Sequence, residues 1–144
     1  MTNEEYGALV SFYAPKSKTP KNCLLAFLVG GAICALGQLI RSGWLMTGLP
    51  EDDCGTLTSV SLIFLASLAT GLSVYDDLAK HAGAGTLVPI TGFSNAVTAP
   101  AVEFKTEGLV TGLAVKMFTI AGPVLVYGVC ASVLYGVFYW ALTR

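Results

Sequence analysis

Charged residues in this chain are clustered, and four long uncharged stretches separate the clusters. These stretches cover residues 22–40, 54–75, 82–102 and 117–143. A helix needs about 20 mostly apolar residues to cross about 30 Å of hydrocarbon, and each stretch comes close to that length. The pattern therefore predicts an all-α integral membrane protein with about four spanning helices. Three spans are plain, at residues 23–40, 56–75 and about 121–142.

The third uncharged stretch is different, because residues 75–108 combine helix-breaking residues with hydroxyl side chains. Glycine costs about 1 kcal/mol and proline about 3 kcal/mol in a helix interior. In lipid, each freed backbone group must also find a partner. We therefore predict a discontinuous or re-entrant helix; the alternative is a kinked span whose glycines only permit close packing. The glycines and prolines are Gly83, Gly85, Pro89, Gly92 and Pro100.

The first 21 residues carry five charges and no apolar stretch, so they are not a signal peptide. We interpret residues 1–21 as a cytoplasmic leader, with a short helix at 4–13, and residues 22–144 as the membrane domain. Lys16, Lys18 and Lys21 precede the first span, whereas an acidic cluster at 51–53 follows it. Because cytoplasmic flanks are rich in lysine and arginine, the N-terminus is predicted to be cytoplasmic.

Composition supports the membrane assignment and excludes several classes of function. Of 144 residues, 54% are hydrophobic and 12% charged, with a mean hydropathy of +0.70; soluble domains carry about 25% charged residues. The net charge of −1 argues against a nucleic-acid partner. A single histidine and the absence of any CxxC pair favour neither a metal site nor a cofactor. Without a nucleophile–base arrangement, we expect no enzyme activity.

Small residues recur four positions apart and predict faces where helices pack closely in lipid. Either this chain's own helices or partner subunits would cover these faces. The four cysteines are interpreted as small apolar residues, of which only Cys54 could reach the outside. Aromatic residues near span ends, including Tyr75, are expected at the headgroup level. The glycines assigned to packing are Gly31, Gly71, Gly108, Gly112, Gly128 and Gly136.

The broken segment is the candidate solute path. Residues 89–95 are predicted to form the break, and a half-helix starting near Thr91 or Ser94 would present its positive end to an anion. Asn95 would contact either the solute or a neighbouring helix. Lys116 is either functional or reaches the interface from a span end; Glu103 lines the path or belongs to a solvated rim. The path candidates are Thr86, Pro89, Thr91, Gly92, Ser94, Asn95, Glu103 and Lys116.

Specific strings in the sequence resemble the stage V sporulation AC/AE(b) membrane protein family. They are GAGTLVPITGFSNAV at 83–97, EGLVTG at 107–112, AFLVGGAICALGQLI at 26–40 and GLSVYDDL at 71–78. The resemblance covers about 120 residues, and the charged leader favours the AC branch.

This resemblance implies a membrane subunit of a channel or transporter complex in the forespore and spore inner membrane. The complex would move dipicolinic acid, with calcium, during sporulation and germination. The implied partners are an AE(b)-type sister membrane subunit and a soluble AD-type protein, with calcium dipicolinate as permeant and the lipid bilayer as surroundings. The alternative is a structural subunit that scaffolds a sister pore and has no solute path of its own.

Overall fold

A computed structural model describes residues 2–13 and 18–143, and it is helical throughout these residues apart from short connections. Lys16 of the predicted leader lies outside them. A short helix, α1 (Asn3–Tyr13), confirms the helix expected in the leader. The long helices α2 (Thr19–Leu45) and α3 (Glu51–Gly71) follow. The remaining elements are α4 (Val74–Ala82), a 3₁₀ turn (Gly83–Thr86), α5 (Pro89–Glu103), a 3₁₀ turn (Lys105–Glu107), a π-helical turn (Leu109–Ala114) and α6 (Val115–Thr143).

Three helical stretches within the described residues are long and apolar enough to span a membrane: Thr19–Leu45, Glu51–Gly71 and Leu109–Thr143. The broken segment formed by α4, the Gly83–Thr86 turn and α5 takes the place of the fourth. The prediction of an all-α membrane protein with one discontinuous segment is therefore confirmed.

Helices α2 and α3 form an antiparallel hairpin. The chain reverses at Gly48, whose φ of +80° suits glycine, and Trp44 Nε1 donates to Ser61 Oγ at 3.3 Å across the hairpin. The acidic residues 51–53, expected in a loop, form the first turn of α3. Negative side chains are favourable at a helix N-terminus, and this explains why α3 starts before the predicted span.

The break in the third segment lies earlier than predicted. Ser73, at φ 60°, separates α3 from α4, and Gly83, at φ 52°, separates α4 from the Gly83–Thr86 turn. Helix α5 then starts at Pro89, because proline has the fixed φ and missing N–H that suit a first helical position. The prediction that residues 89–95 form the break is wrong, since these residues form the first two turns of α5.

The π-helical turn and α6 form one continuous stretch, and the residue before it has backbone geometry that only glycine adopts readily. Gly108 has a φ of +106°, and the π-helical turn follows it directly. The start of α6 packs against α5, but its side chains from Pro123 onward are all exposed. Most of α6 therefore meets no other part of the described chain.

Two predictions about individual side chains are wrong. Cys54 is fully buried, whereas Cys23, Cys34 and Cys130 are exposed on the helices. Tyr75 does not face the headgroups, because its ring is buried and its hydroxyl donates to the Thr86 carbonyl oxygen at 2.9 Å. That hydrogen bond ties α4 to the turn that follows it.

Candidate functional site

A chain of hydroxyl groups joins α5 to α3. Thr98 Oγ1 donates to Ser67 Oγ at 3.1 Å, and Ser94 Oγ donates to the Ile63 carbonyl oxygen at 3.0 Å. Because the Ser94 proton is used there, the 2.8 Å contact between Ser67 and Ser94 has Ser67 as its donor. The hydrogen bonds thus run in one direction, from Thr98 to Ser67, from Ser67 to Ser94, and from Ser94 to the Ile63 carbonyl oxygen. Such a chain is mutually polarising, so it stabilises the α3–α5 contact.

Asn95 differs from these hydroxyls because only half of its amide is used. Thr70 Oγ1 lies 2.8 Å from both Asn95 Oδ1 and the Ala66 carbonyl oxygen, so the one proton of that hydroxyl is shared between the two acceptors. Within the described residues, the Asn95 Nδ2 group makes no hydrogen bond, and it is not enclosed. A half-buried amide on a membrane helix therefore keeps two donors for a group outside the described chain.

Thr86 and Gly92 shape the turn into α5. Thr86 is buried, and its Oγ1 donates to the Gly83 carbonyl oxygen at 3.0 Å. A Cβ at Gly92 would lie 2.9 Å from the Thr86 carbonyl oxygen and 3.3 Å from Leu87 backbone atoms. Gly92 is thus in contact with the preceding turn, which explains why a glycine stands in the first turns of this helix.

The first turns of α5 do not begin where the sequence predicted the start of a half-helix. The Gly92 N–H donates to the Val88 carbonyl oxygen at 2.7 Å, and the residues up to Asn95 are helical. The positive end of α5 is therefore at Pro89, not near Thr91 or Ser94. Pro89 is exposed, whereas Thr91 is buried, with its Oγ1 3.4 Å from the Val88 carbonyl oxygen.

Glu103 and Lys116 lie at the opposite end of α5 from the break. Glu103 is exposed on the last turn, and within the described residues no ion pair joins it to Lys105. Lys116 is half-buried, with its Nζ 4.0 Å from the centre of the Phe104 ring, a cation–π contact. The structure thus places Ser94 and Asn95 against α3 and Gly92 against Thr86, and it leaves Glu103 and Lys116 at the other end of α5.

The six packing glycines divide into two groups. Gly112 is buried against Phe104 and Glu107, and Gly108 is the left-handed residue before the π-helical turn. A Cβ added at any of the other four would meet nothing within 4 Å in the described chain, and these are Gly31, Gly71, Gly128 and Gly136.

Sequence reasoning missed the tightest helix contact in the segment. A Cβ at Gly85 would lie 2.5 Å from the Ala26 carbonyl oxygen, and one at Gly30 would lie 3.2 Å from the Gly85 carbonyl oxygen. The Gly83–Thr86 turn therefore rests directly on the α2 backbone. The available signal was the small pair Ala26 and Gly30, spaced four apart on α2.

Comparison with known proteins identifies the family to which this chain belongs. The family model described as SpoVAC/SpoVAEB sporulation membrane protein matches residues 22–138. The chain belongs to this family. It is 42% identical over 147 aligned positions to stage V sporulation protein AC of Bacillus subtilis (strain 168), covering 100% of this chain and 98% of that relative. No solved structure matches the chain significantly. The resemblance noted in the sequence is confirmed, and the protein is a multi-pass membrane protein of sporulation.

Proposed function

We propose that the chain is a membrane subunit of a channel or transporter that moves dipicolinic acid, with calcium, across the spore inner membrane. It acts in the forespore during sporulation and in the spore during germination, with its N-terminus in the cytoplasm. Its partners are an AE(b)-type sister subunit and a soluble AD-type protein. It is not an enzyme. The observation that carries the proposal is the unpaired amide of Asn95 on the discontinuous segment.

The chemistry of the amide suits this solute. Dipicolinate is a rigid pyridine with two carboxylates, which accept hydrogen bonds and carry none of their own donors. Asn95 offers two N–H donors, and the positive end of the α5 dipole begins six residues earlier, at Pro89. In lipid an unpaired amide is costly, so a water-filled or solute-filled path beside Asn95 supplies what the lipid lacks.

A second candidate function is supported by the hydroxyl chain. Thr98, Ser67 and Ser94 spend their hydrogen bonds on each other and on Ile63. Polar groups used in this way serve helix packing, and this is what a scaffold subunit for a sister pore needs. The two functions differ in whether Asn95 contacts the permeating solute.

The deciding experiment measures dipicolinate flux into liposomes containing this chain with its sister subunit. Asn95→Leu removes both the Thr70 hydrogen bond and the free donors, whereas Thr70→Val removes only the hydrogen bond between them. A lost contact worth about 0.5–1.5 kcal/mol in the barrier state slows flux roughly two- to thirteenfold. We expect that loss in Asn95→Leu and near-normal flux in Thr70→Val. Equal flux in both variants, at equal protein level, would favour the scaffold.

A further inference from the structure

A cavity of about 330 Å³ opens where α2 begins, between the first turns of α2 and the residues at the end of α4 and the start of the Gly83–Thr86 turn. The residues that matter for its chemistry are Asn22 and Cys23 on α2, and Lys80 and His81 at the end of α4. Its volume is at the lower end of the range for small-molecule sites. None of these four residues takes part in the candidate path around Asn95.

The cavity follows from the way the turn rests on α2. Gly85 touches the backbone at Ala26, and the buried Tyr75 hydroxyl holds the same turn through Thr86. With the turn fixed at that point, the last residues of α4 stand away from the first turns of α2. The space between them is therefore built into the fold by two specific contacts.

The side chains around the cavity offer donors and positive charge. Lys80 Nζ lies 2.8 Å from Asp77 Oδ1, and this exposed pair raises the pKa of Lys80 and lowers the pKa of Asp77, chiefly through their hydrogen bond. His81 Nδ1 lies 2.9 Å from the Asp77 carbonyl oxygen, which can only accept, so Nδ1 carries a proton. The ring is thereby held in one orientation at the cavity wall.

Helix α2 adds to the positive potential. It is 27 residues long, and the positive end of its dipole is at the cavity. Its first turn contains no acidic residue, while Lys18 and Lys21 flank its start. The opposing charges are Asp76 and Asp77 on the exposed side of α4, of which Asp77 already pairs with Lys80.

We propose that this cavity binds an oxyanion, with the Lys80 ammonium and the Asn22 amide as its donors. The choice of a dicarboxylate as the soluble ligand rests on the proposed function; the site itself rests on the cavity and its charges. An anionic lipid headgroup offers the same oxygen chemistry at the same place. The site would concentrate the anion at the end of the bundle where α2 begins.

Cys23 provides a direct probe, because its exposed thiol lines the cavity. The rate of maleimide alkylation is measured at each cysteine by peptide mass spectrometry on the full chain in neutral detergent. We expect dipicolinate to slow alkylation of Cys23 at least about threefold, with Cys34 and Cys130 unaffected because they lie elsewhere on exposed helix surfaces. The uncharged pyridine-2,6-dicarboxamide should give no protection.

Two variants test the donors. Lys80→Gln combined with Asn22→Leu should abolish protection, whereas Lys21→Gln, which removes a charge that does not line the cavity, should keep it. All of these side chains are exposed, so their replacement leaves the packed contacts in place.

The same alkylation measurement in lipid nanodiscs distinguishes a lipid headgroup from a soluble anion. Protection of Cys23 in nanodiscs of phosphatidylglycerol but not phosphatidylcholine, with no added effect of dipicolinate, supports the site and assigns it to a headgroup. Protection by neither anion, or protection that survives the double variant, overturns the proposal. The readout does not depend on transport, so protection without flux would count against the proposed function alone.

Discussion

The contact between Gly85 and α2 should be highly sensitive to one added methyl group. In Gly85→Ala the new Cβ would lie 2.5 Å from the Ala26 carbonyl oxygen and 2.8 Å from the Ala26 Cα. Ordinary van der Waals contact begins at 3.4 Å, so the turn and the helix must separate by about 0.9 Å. Both sides of the contact are backbone, and no rotamer change can relieve it.

The expected loss of stability follows from two opposing effects. Overpacking of this kind costs about 1–3 kcal/mol. Replacing glycine by alanine also restricts the unfolded chain, which returns about 0.4–1 kcal/mol. The packing effect is larger, so we expect a net loss of about 1–2 kcal/mol, or roughly a five- to thirtyfold change in the ratio of folded to unfolded protein.

Two glycines on α2 are the matched controls. At Gly30 the added Cβ would lie 3.2 Å from the Gly85 carbonyl oxygen, a displacement of only a few tenths of an ångström. At Gly31 it would meet nothing within 4 Å of the described chain. Stability should therefore fall in the order Gly31→Ala, Gly30→Ala, Gly85→Ala, and Gly31→Ala should match or exceed the parent.

The assay uses the buried thiol of Cys54, which reacts with a fluorogenic maleimide only when the protein opens. The parent for all variants has Cys23, Cys34 and Cys130 replaced by serine, since these thiols are exposed. The midpoint of thermal labelling in detergent should be about 3–8 °C lower for Gly85→Ala. A midpoint equal to that of Gly31→Ala would refute the close approach of the turn to α2.

Three further predictions use other parts of the chain. Tyr75→Phe leaves the buried Thr86 carbonyl without its hydrogen bond and should cost about 1–3 kcal/mol in the same thermal assay; an unchanged midpoint would contradict that role. Gly128→Leu, on the open face of α6, should reduce co-purification with the sister subunit, and normal recovery would assign that face to lipid. Cysteines placed at Asp52 and at Ser17 should be labelled by an impermeant reagent from opposite sides of the membrane, with Ser17 cytoplasmic; labelling of both from one side would exclude this topology.

The spans were predictable because charge and apolar composition decide which segments enter lipid, but helix ends depend on local chemistry. Helix α3 begins at Glu51 because acidic side chains are favourable in a first turn, and it ends at Gly71 because Ser73 adopts a left-handed conformation. Neither feature changes the hydropathy of the segment. The predicted span at 56–75 was accordingly shifted towards the C-terminus at both ends.

The broken segment was predictable from its glycines and prolines, but the position of the break was not. Pro89 and Gly92 both disfavour a helix interior, yet one starts a helix and the other fits against Thr86. Which role such a residue takes depends on the tertiary contact it makes. The sequence alone does not contain that contact.

In the candidate site, too, the residue types were predictable from the sequence but their hydrogen-bond partners were not. The hydroxyl and amide residues of α5 could be named from the sequence, since polar groups in a membrane segment need partners. Only the fold distinguishes Ser94, which is hydrogen-bonded to α3, from Asn95, which keeps free donors. Both face α3, one residue apart, and the difference arises from which α3 side chains lie opposite them.

The length of the last apolar helix has a consequence for where Lys116 lies relative to the bilayer. The 35 residues from Leu109 to Thr143 extend over about 52 Å, whereas the hydrocarbon layer is about 30 Å thick. Even at a tilt of about 40°, the upper end of what spanning helices adopt, only about 39 Å of helix fits inside. About nine residues must therefore lie in the headgroup region or beyond it. If this overhang is at the start of the helix, it places the Lys116 ammonium at the boundary with water and leaves the uncharged remainder to fill the hydrophobic thickness.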